Sequence, residues 1–129
     1  MIYDVCKYIG GGPIMWVIEF YKTENSRNVI LEFLESLPVK HKAGAIREIE
    51  LLEEFRTKLT MPHVKQINRK LWELRIKTFS DISRIFYFVS VSNKIVLLHG
   101  FIKKTAEIPE YEKKTAIKRM NDYKRRFKI

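Results

Sequence analysis

The chain is 129 residues long, with 46% hydrophobic residues, 31% charged residues and a formal net charge of +10. This length suits one domain and the apolar content suffices for a packed core, so composition excludes wholesale disorder and leaves little room for a second core. The longest apolar runs, such as 95–98, are far shorter than the roughly 20 residues that a membrane-spanning helix requires, so we expect no membrane partner.

The positive charge is concentrated in the second half of the sequence. Residues 1–64 contain 8 basic and 9 acidic side chains, whereas residues 65–129 contain 17 basic and 6 acidic ones. This asymmetry favours a basic face that binds a polyanion, with a solvated basic helix as the simpler alternative. The one cysteine, Cys6, cannot form an intrachain disulfide, and the N-terminus lacks a secretion-signal pattern. Both features favour a cytoplasmic location.

The chain begins with a segment that does not resemble a folded element. Three glycines and a proline at 10–13 are too flexible for a helix or a central strand. Residues 1–14 are therefore predicted to be an N-terminal extension without an assigned role, ahead of a single domain at 15–129. The aromatic and β-branched run Trp16–Phe20 predicts the first strand of that domain.

Two amphipathic helices are predicted next. Between 26 and 37 the apolar residues recur at three- and four-residue steps until Pro38 interrupts the pattern. A second helix is predicted from Val39 to Leu59, where one apolar stripe lies opposite charged residues. The two helices are expected to form a hairpin that covers a sheet.

After Pro62 the hydrophobic period changes to two, which predicts strands. In 71–77 charged residues alternate with apolar ones, a pattern typical of a half-exposed strand with its charges on one side. The second strand, 82–91, places Arg84 on the same side as two aromatic residues, and the third, 94–101, is apolar enough to be central. These consecutive strands predict a three-stranded antiparallel meander.

The sequence closes with a predicted helix from Pro109 to Phe127 that is rich in lysine and arginine and has only a narrow apolar stripe. We expect this helix to dock along one edge of the sheet and to be solvated elsewhere. An N-terminal strand, a helical hairpin, a meander and a C-terminal basic helix together define an α+β fold.

The motifs support neither a metal site nor a bound cofactor. One cysteine and three histidines lie in different segments without metal-ligand spacing, and no glycine-rich loop ends in Lys-Ser or Lys-Thr. We therefore expect no metal and no cofactor. Within 65–104 the carboxylates are only Glu73 and Asp81, so a nuclease built on this chain would have to work without metal.

Alternation along the predicted meander gathers basic and aromatic residues on one surface. If the strands pair in sequence, Arg75, Arg84 and either Lys103 or Lys104 lie together with aromatic residues at the edge. Such a surface binds a phosphodiester through arginine and stacks an unpaired base on an aromatic ring. In RNA the 2′-hydroxyl can attack its own phosphate while cations stabilise the transition state, so this surface suits metal-independent RNA cleavage.

Each of these residues also has a structural interpretation. Arg75 by itself would pair with Glu73 or Asp81 across the sheet, and His99 would be a satisfied, partly buried histidine. Phe86 and Tyr87 would pack in the core. Only the combination of residues favours RNA binding.

Three segments carry a resemblance to a known family, namely 70–77 (KLWELRIK), 84–88 (RIFYF) and 95–105 (IVLLHGFIKKT). In this order and spacing they resemble the phage-derived HigB-like toxins of the RelE/ParE superfamily, which belong to type II toxin–antitoxin systems. The likeness covers about residues 15–127. It implies a RelE-like fold and an endoribonuclease (mRNA interferase) that cleaves messenger RNA on the ribosome and is neutralised by a cognate helix-turn-helix antitoxin.

The resemblance also implies roles for individual residues. Arg75 and Arg84 match positions that bind phosphate. Lys103 and Lys104 match a basic pair that stabilises the transition state or donates a proton to the leaving oxygen. These four residues are the cationic part of the expected catalytic site.

The general base is less defined, because superfamily members use different residue types. His99 and Glu73 are the candidates that the resemblance favours, with Tyr87 and Tyr111 as further ones. The residues expected to contact RNA are Lys77, Phe86, Tyr87, Phe101 and Tyr111.

Two other functions stay open on the sequence alone. The superfamily also contains ParE-like proteins that inhibit DNA gyrase instead of cleaving RNA, and a shared fold does not separate the two. The basic half would also suit a nucleic-acid-binding module without catalysis, whose affinity would fall steeply with salt. The combined cationic residues favour the ribonuclease.

Overall fold

The protein is described by a computed structural model in which residues 6–7, 16–78 and 82–128 are placed. Most of the predicted extension at 1–14, and Asp81, lie outside these residues. The elements in chain order are β1 (Cys6–Lys7), β2 (Trp16–Phe20), α1 (Val29–Ser36), α2 (Val39–Phe55), the 3₁₀ helix Arg56–Lys58, β3 (Val64–Gln66), β4 (Trp72–Lys77), β5 (Ile82–Val89), β6 (Lys94–Ile102) and α3 (Glu110–Phe127). The predicted α+β fold is confirmed.

The strands form one mixed sheet in the order β1-β2-β6-β5-β4-β3. The predicted meander is confirmed, since β4 pairs with β5 and β5 with β6, both antiparallel. The strand β2 pairs with β6 in parallel, and the chain between them passes through the helical hairpin and the strands β3, β4 and β5. Two strands were not predicted: β1 and β3 have two and three residues, too few to show alternation.

The helices α1 and α2 cover one side of the sheet, called here the hairpin face. The helix α1 begins at Asn28, whose side-chain oxygen accepts a hydrogen bond from the backbone N–H of Leu31. It packs on β6 at Gly100, where an added Cβ would lie 2.3 Å from the Phe33 ring. On α2, His41 is buried and hydrogen-bonded to Ser83 of β5. The predicted covering hairpin is therefore confirmed.

The helix α3 covers the opposite side of the sheet, called here the α3 face. Tyr123 is buried against Phe88 in an edge-to-face contact of 5.7 Å between ring centroids, and Ala116 and Met120 are buried beside it. The prediction that this helix docks along an edge is wrong, because α3 packs on the two central strands, β6 and β5. The narrow apolar stripe suffices because a few large side chains fill the contact.

Candidate active site

Three strands bring charged residues together on the α3 face. The β4–β5 register places Arg75 opposite Arg84, and Glu73 opposite Phe86, two residues away on the same face. The chain leaving β6 adds Lys103, whose backbone N–H donates to the carbonyl oxygen of Ile82. We call Arg75, Arg84 and Lys103, grouped around Glu73, the cationic cluster.

The centre of the cationic cluster is a buried ion pair. The Arg84 Nε atom lies 3.5 Å from Glu73 Oε1, and both side chains are 3% exposed. The Arg75 Nε atom lies 4.0 Å from the same oxygen, but its side chain is 31% exposed. The predicted half-exposed strand with its charges in solvent is therefore wrong for Glu73, because two arginines compensate a carboxylate that the sheet and its neighbours bury.

The exposed part of the cationic cluster contains Lys103, a lysine with a lowered pKa. Burial lowers the pKa of Lys103, and the positive charges of Arg84 and Arg75 lower it further against the opposing effect of Glu73. Lys65 contributes in the same direction, because the β3–β4 register places it opposite Glu73. Sequence reasoning missed Lys65 because β3 is too short to be recognised.

His99 lies on the same face but is engaged elsewhere. Its Nδ1 atom is 3.1 Å from an Arg119 guanidinium nitrogen, which can only donate, so Nδ1 accepts and Nε2 carries the proton. That Nε2 donates to Glu112 over 2.6 Å. The ring also stacks on Phe101, with 5.8 Å between centroids and an interplanar angle of 18°. These contacts make His99 the link between β6 and α3.

The environment of His99 also disfavours its charged form. Burial lowers the pKa of the imidazole, and the positive charge of Arg119 lowers it further, whereas the hydrogen bond to Glu112 raises it. A neutral His99 with both nitrogens occupied has no free lone pair to offer to a substrate proton. In this arrangement it fits a positioning role better than that of a general base.

The aromatic residues expected to stack on RNA are mostly inside the protein. Phe86 and Phe101 lie on the α3 face with 5.3 Å between centroids, and both are buried. Tyr87 pairs with Trp72 and Leu97, which places it on the hairpin face. The expectation that Tyr87 lies on the cationic surface is therefore wrong, and burial raises its pKa. Tyr87 and Arg84 are three residues apart on β5, so strand alternation alone already places them on opposite faces of the sheet.

The remaining predicted residues are exposed to solvent. Tyr111, at the start of α3, is 68% exposed, and Lys77 and Lys104 are exposed at the ends of their strands. No ion pair or side-chain hydrogen bond within 16–78 and 82–128 joins these two lysines to the cationic cluster. Among the placed residues, Glu73 interacts with Arg75, Arg84 and Lys103, and no ion pair joins it to Lys104.

The placed residues offer neither a metal centre nor a membrane span. In that part of the chain, no three His, Cys, Asp or Glu side chains are grouped closely enough to hold a metal ion. None of the helices that the structure describes is both long and apolar enough to cross a membrane.

Comparison with protein families places this geometry in context. Residues 32–121 match the family described as phage-derived protein Gp49-like (DUF891). The chain belongs to the Gp49-like family. A search of curated proteins finds no significant match. The matched region runs from α1 into α3 and contains the whole cationic cluster of the Gp49-like chain.

Family membership carries a general functional statement. The Gp49-like family is a family of RelE/HigB-like toxins, so the chain is a toxin of the toxin–antitoxin type and has an antitoxin as its partner. The finer assignments, which are the chemistry, the substrate and the site residues, depend on the geometry above.

Proposed function

We propose that this Gp49-like chain is a HigB-like, metal-independent endoribonuclease that cleaves messenger RNA on the ribosome. One observation carries the proposal: three cations, from β4, from β5 and from the residue directly after β6, lie around a single buried carboxylate, Glu73. Such a cluster has more positive charge than it can neutralise internally. It is therefore suited to a phosphodiester, whose charge increases in the transition state.

Burial divides the cationic cluster into two parts with different roles. Glu73 and Arg84 are almost completely shielded from solvent and form its foundation. Arg75 and Lys103 reach solvent and are the groups that would contact RNA. The Arg75 guanidinium faces Glu73 with its Nε atom, so part of its planar fork stays free for bidentate contact with phosphate.

The reaction that fits this arrangement is an internal transesterification. The 2′-hydroxyl oxygen forms a bond to phosphorus while the bond to the 5′-oxygen breaks, which gives a 2′,3′-cyclic phosphate and a 5′-hydroxyl end. Arg75 stabilises the added negative charge on the phosphoryl oxygens, and the buried Arg84 adds to the positive potential behind it. Lys103 donates the proton that the leaving 5′-oxygen needs, and its lowered pKa favours that transfer.

The proton of the 2′-hydroxyl needs an acceptor outside the cluster. The nitrogens of His99 are both engaged, and the oxygen Oε2 of Glu73 is fully shielded from solvent. In our proposal this proton passes to a solvent water, and catalysis depends on the cations. Both Glu73 and His99 then act as positioning residues.

The proposed partners are mRNA on the ribosome and a helix-turn-helix antitoxin. The hairpin presents large apolar side chains to solvent, with Val39 84% and Phe55 44% exposed on α2. Exposed apolar groups of this kind are typical of a protein interaction surface. We propose that the antitoxin docks on the hairpin. Another part of the antitoxin would then block the α3 face, either sterically or through its charge.

The test is induction of the chain in a bacterial host, with transcript 5′ ends mapped before and shortly after growth stops. We expect new ends inside translated reading frames, lost in Arg75→Ala and Lys103→Gln. The matched control is Lys118→Gln, an exposed lysine on α3, which should behave as wild type.

Other outcomes would point to the alternatives. Growth arrest with unchanged transcript ends and DNA damage signalling would contradict the ribonuclease and favour a gyrase inhibitor. Cleavage preserved in both cluster variants would overturn the assignment of the site. Purified variants should first be shown to have the thermal stability of the wild type, so that loss of activity is not loss of fold.

A further inference from the structure

A second basic concavity lies on the protein, away from the cationic cluster. It lies where the loop before β4, the end of β5 and the C-terminal half of α3 meet, and has a volume of about 400 Å³. This volume is within the range of about 300–1,000 Å³ that small-molecule sites occupy. We call it the β4 pocket, and its principal lining residues are Arg69, Lys70, Trp72, Phe88, Ser90 and Lys124.

The cations of the β4 pocket are not neutralised. Among the residues that the structure places, no carboxylate forms an ion pair with Arg69, Lys70 or Lys124. The Lys124 Nζ atom instead lies 5.4 Å from the centroid of the Phe88 ring. Burial and the facing charge of Lys70 both lower the pKa of Lys124. Two ammonium groups that repel each other across a cavity would be stabilised by an anion between them.

The rest of the pocket wall is aromatic and apolar. Trp72 is partly buried and lines the pocket from the hairpin face, on which it pairs with Tyr87, whereas the buried Phe88 lines it from the α3 face. Cations beside a partly exposed aromatic ring form the combination that binds a single-stranded nucleotide, with phosphate on the cations and the base against the ring. An acidic peptide would use the cations but leave the aromatic wall without a partner.

The β4 pocket is also placed to receive the same strand as the cationic cluster. Phe88 and Arg84 share parity on β5 and so lie on the same face of the sheet. Lys70 lies in the loop that leads into β4, the strand that carries Arg75, so the pocket and the cationic cluster are joined by one segment of the chain.

We propose that the β4 pocket is a nucleotide subsite for the RNA strand bound at the cationic cluster, with a phosphate between Lys70 and Lys124 and a base against Trp72. This inference depends on the proposed ribonuclease function and extends it to a substrate contact remote from the scissile bond. Residues that take no part in the cleavage reaction would then contribute to substrate binding.

The experiment is an NMR titration of the ¹⁵N-labelled full chain with a 2′-O-methyl RNA hexamer, which binds without being cleaved. The chain has two tryptophans, so the Trp72 indole N–H, which Trp72→Phe assigns, reports on a residue that lines the pocket. We expect this signal and the amides of 69–71 to shift and saturate together with those of Arg75 and Lys103.

Charge-removing variants give the quantitative test. Lys70→Gln with Lys124→Gln should weaken hexamer binding roughly ten-fold, as expected when hydrogen bonds to a charged group are removed. The slope of log affinity against log salt should become shallower by about 0.7 for each phosphate that the variant no longer binds. Lys118→Gln is the matched control on α3 and should bind as wild type. Lys70 is exposed, so Lys70→Gln alone provides a variant whose fold is not at risk.

Three outcomes would overturn the inference. Shifts at Arg75 and Lys103 without shifts in the pocket would remove the subsite and leave the ribonuclease proposal intact. Equal shifts of the pocket signals with hexaglutamate at the same salt would assign the pocket to an acidic protein segment instead. If neither group of signals responded to RNA, the subsite and the proposed function would both fall.

Discussion

Arg84→Ala tests whether the centre of the cationic cluster is structural before it is catalytic. The family resemblance makes this arginine a candidate for phosphate binding, yet its side chain is only 3% exposed and lies 3.5 Å from an equally buried Glu73. Truncation would leave the Glu73 carboxylate buried, with only the more distant and partly exposed Arg75 as a counter-charge. We therefore expect Arg84→Ala to unfold easily, whatever its effect on RNA.

The size of the effect follows from the burial of both partners. Removing one partner of a buried ion pair costs about 3–5 kcal/mol, because the other charge stays desolvated without compensation. Arg75 retains part of the compensation, so the lower half of this range, about 3 kcal/mol, is the expected loss. For a domain of this length that corresponds to a decrease in Tm of roughly 10 °C.

The assay is urea unfolding of three variants beside the wild type, followed by circular dichroism. Lys103→Gln removes a partly exposed cluster charge and should change the free energy of unfolding by no more than about 0.5 kcal/mol. Glu73→Leu with Arg84→Met removes the pair together, and should recover most of the stability lost in Arg84→Ala.

The reasoning is refuted if Arg84→Ala unfolds within about 1 kcal/mol of the wild type, a change typical of an ordinary substitution. It is equally refuted if the double variant is less stable than Arg84→Ala, since an uncompensated Glu73 would then not be the cause. Confirmation would mean that relief of toxicity by Arg84→Ala cannot identify a catalytic residue.

Three further substitutions test the fold around the site. Gly100→Ala should lower the free energy of unfolding by about 1–3 kcal/mol, because the new Cβ would lie 2.3 Å from the Phe33 ring; denaturant titration measures it. Asn28→Ala should cost about 1 kcal/mol by the same assay, because it removes the hydrogen bond that caps α1. The lowered pKa of His99 means that this group contributes stability above its unfolded pKa near 6.5 that is lost as pH falls through the folded pKa. The stability difference between wild type and His99→Gln should therefore shrink below pH 6.5, and a constant difference would contradict the conclusion that burial and the charge of Arg119 disfavour the charged ring.

The sequence predicted most of the fold because long periodic segments carry their own signal. The hairpin, the meander and the C-terminal helix were all predicted within a few residues of their observed bounds. The short strands β1 and β3 were missed, as was the parallel pairing of β2 with β6, because pairing partners far apart in sequence leave no periodic trace. The edge docking of α3 was wrong for a related reason, since a helix pattern does not reveal which strands it covers.

The sequence predicted which residues form the candidate site, but not how far each side chain is exposed to solvent. Arg75, Arg84, Glu73 and Lys103 do meet, as alternation on a meander requires. Alternation assigns a side chain to a face, but it does not determine whether a charged residue on that face reaches solvent. Glu73 is buried because opposite charges are close enough to compensate it. The β4 pocket was missed because its lysines come from a loop and from a helix 54 residues apart.

The division between buried and exposed charges explains how several like charges are held close together in the cationic cluster. A phosphate-binding surface must hold like charges close together, and their repulsion would disperse flexible side chains. The buried pair of Glu73 and Arg84 fixes one cation and provides a carboxylate that restrains Arg75. Lys103 then extends the positive surface into solvent. Because Glu73 and Arg84 are buried, the fold assembles the cluster before the proposed RNA substrate binds, and the proposed electrostatic catalysis requires such preorganisation.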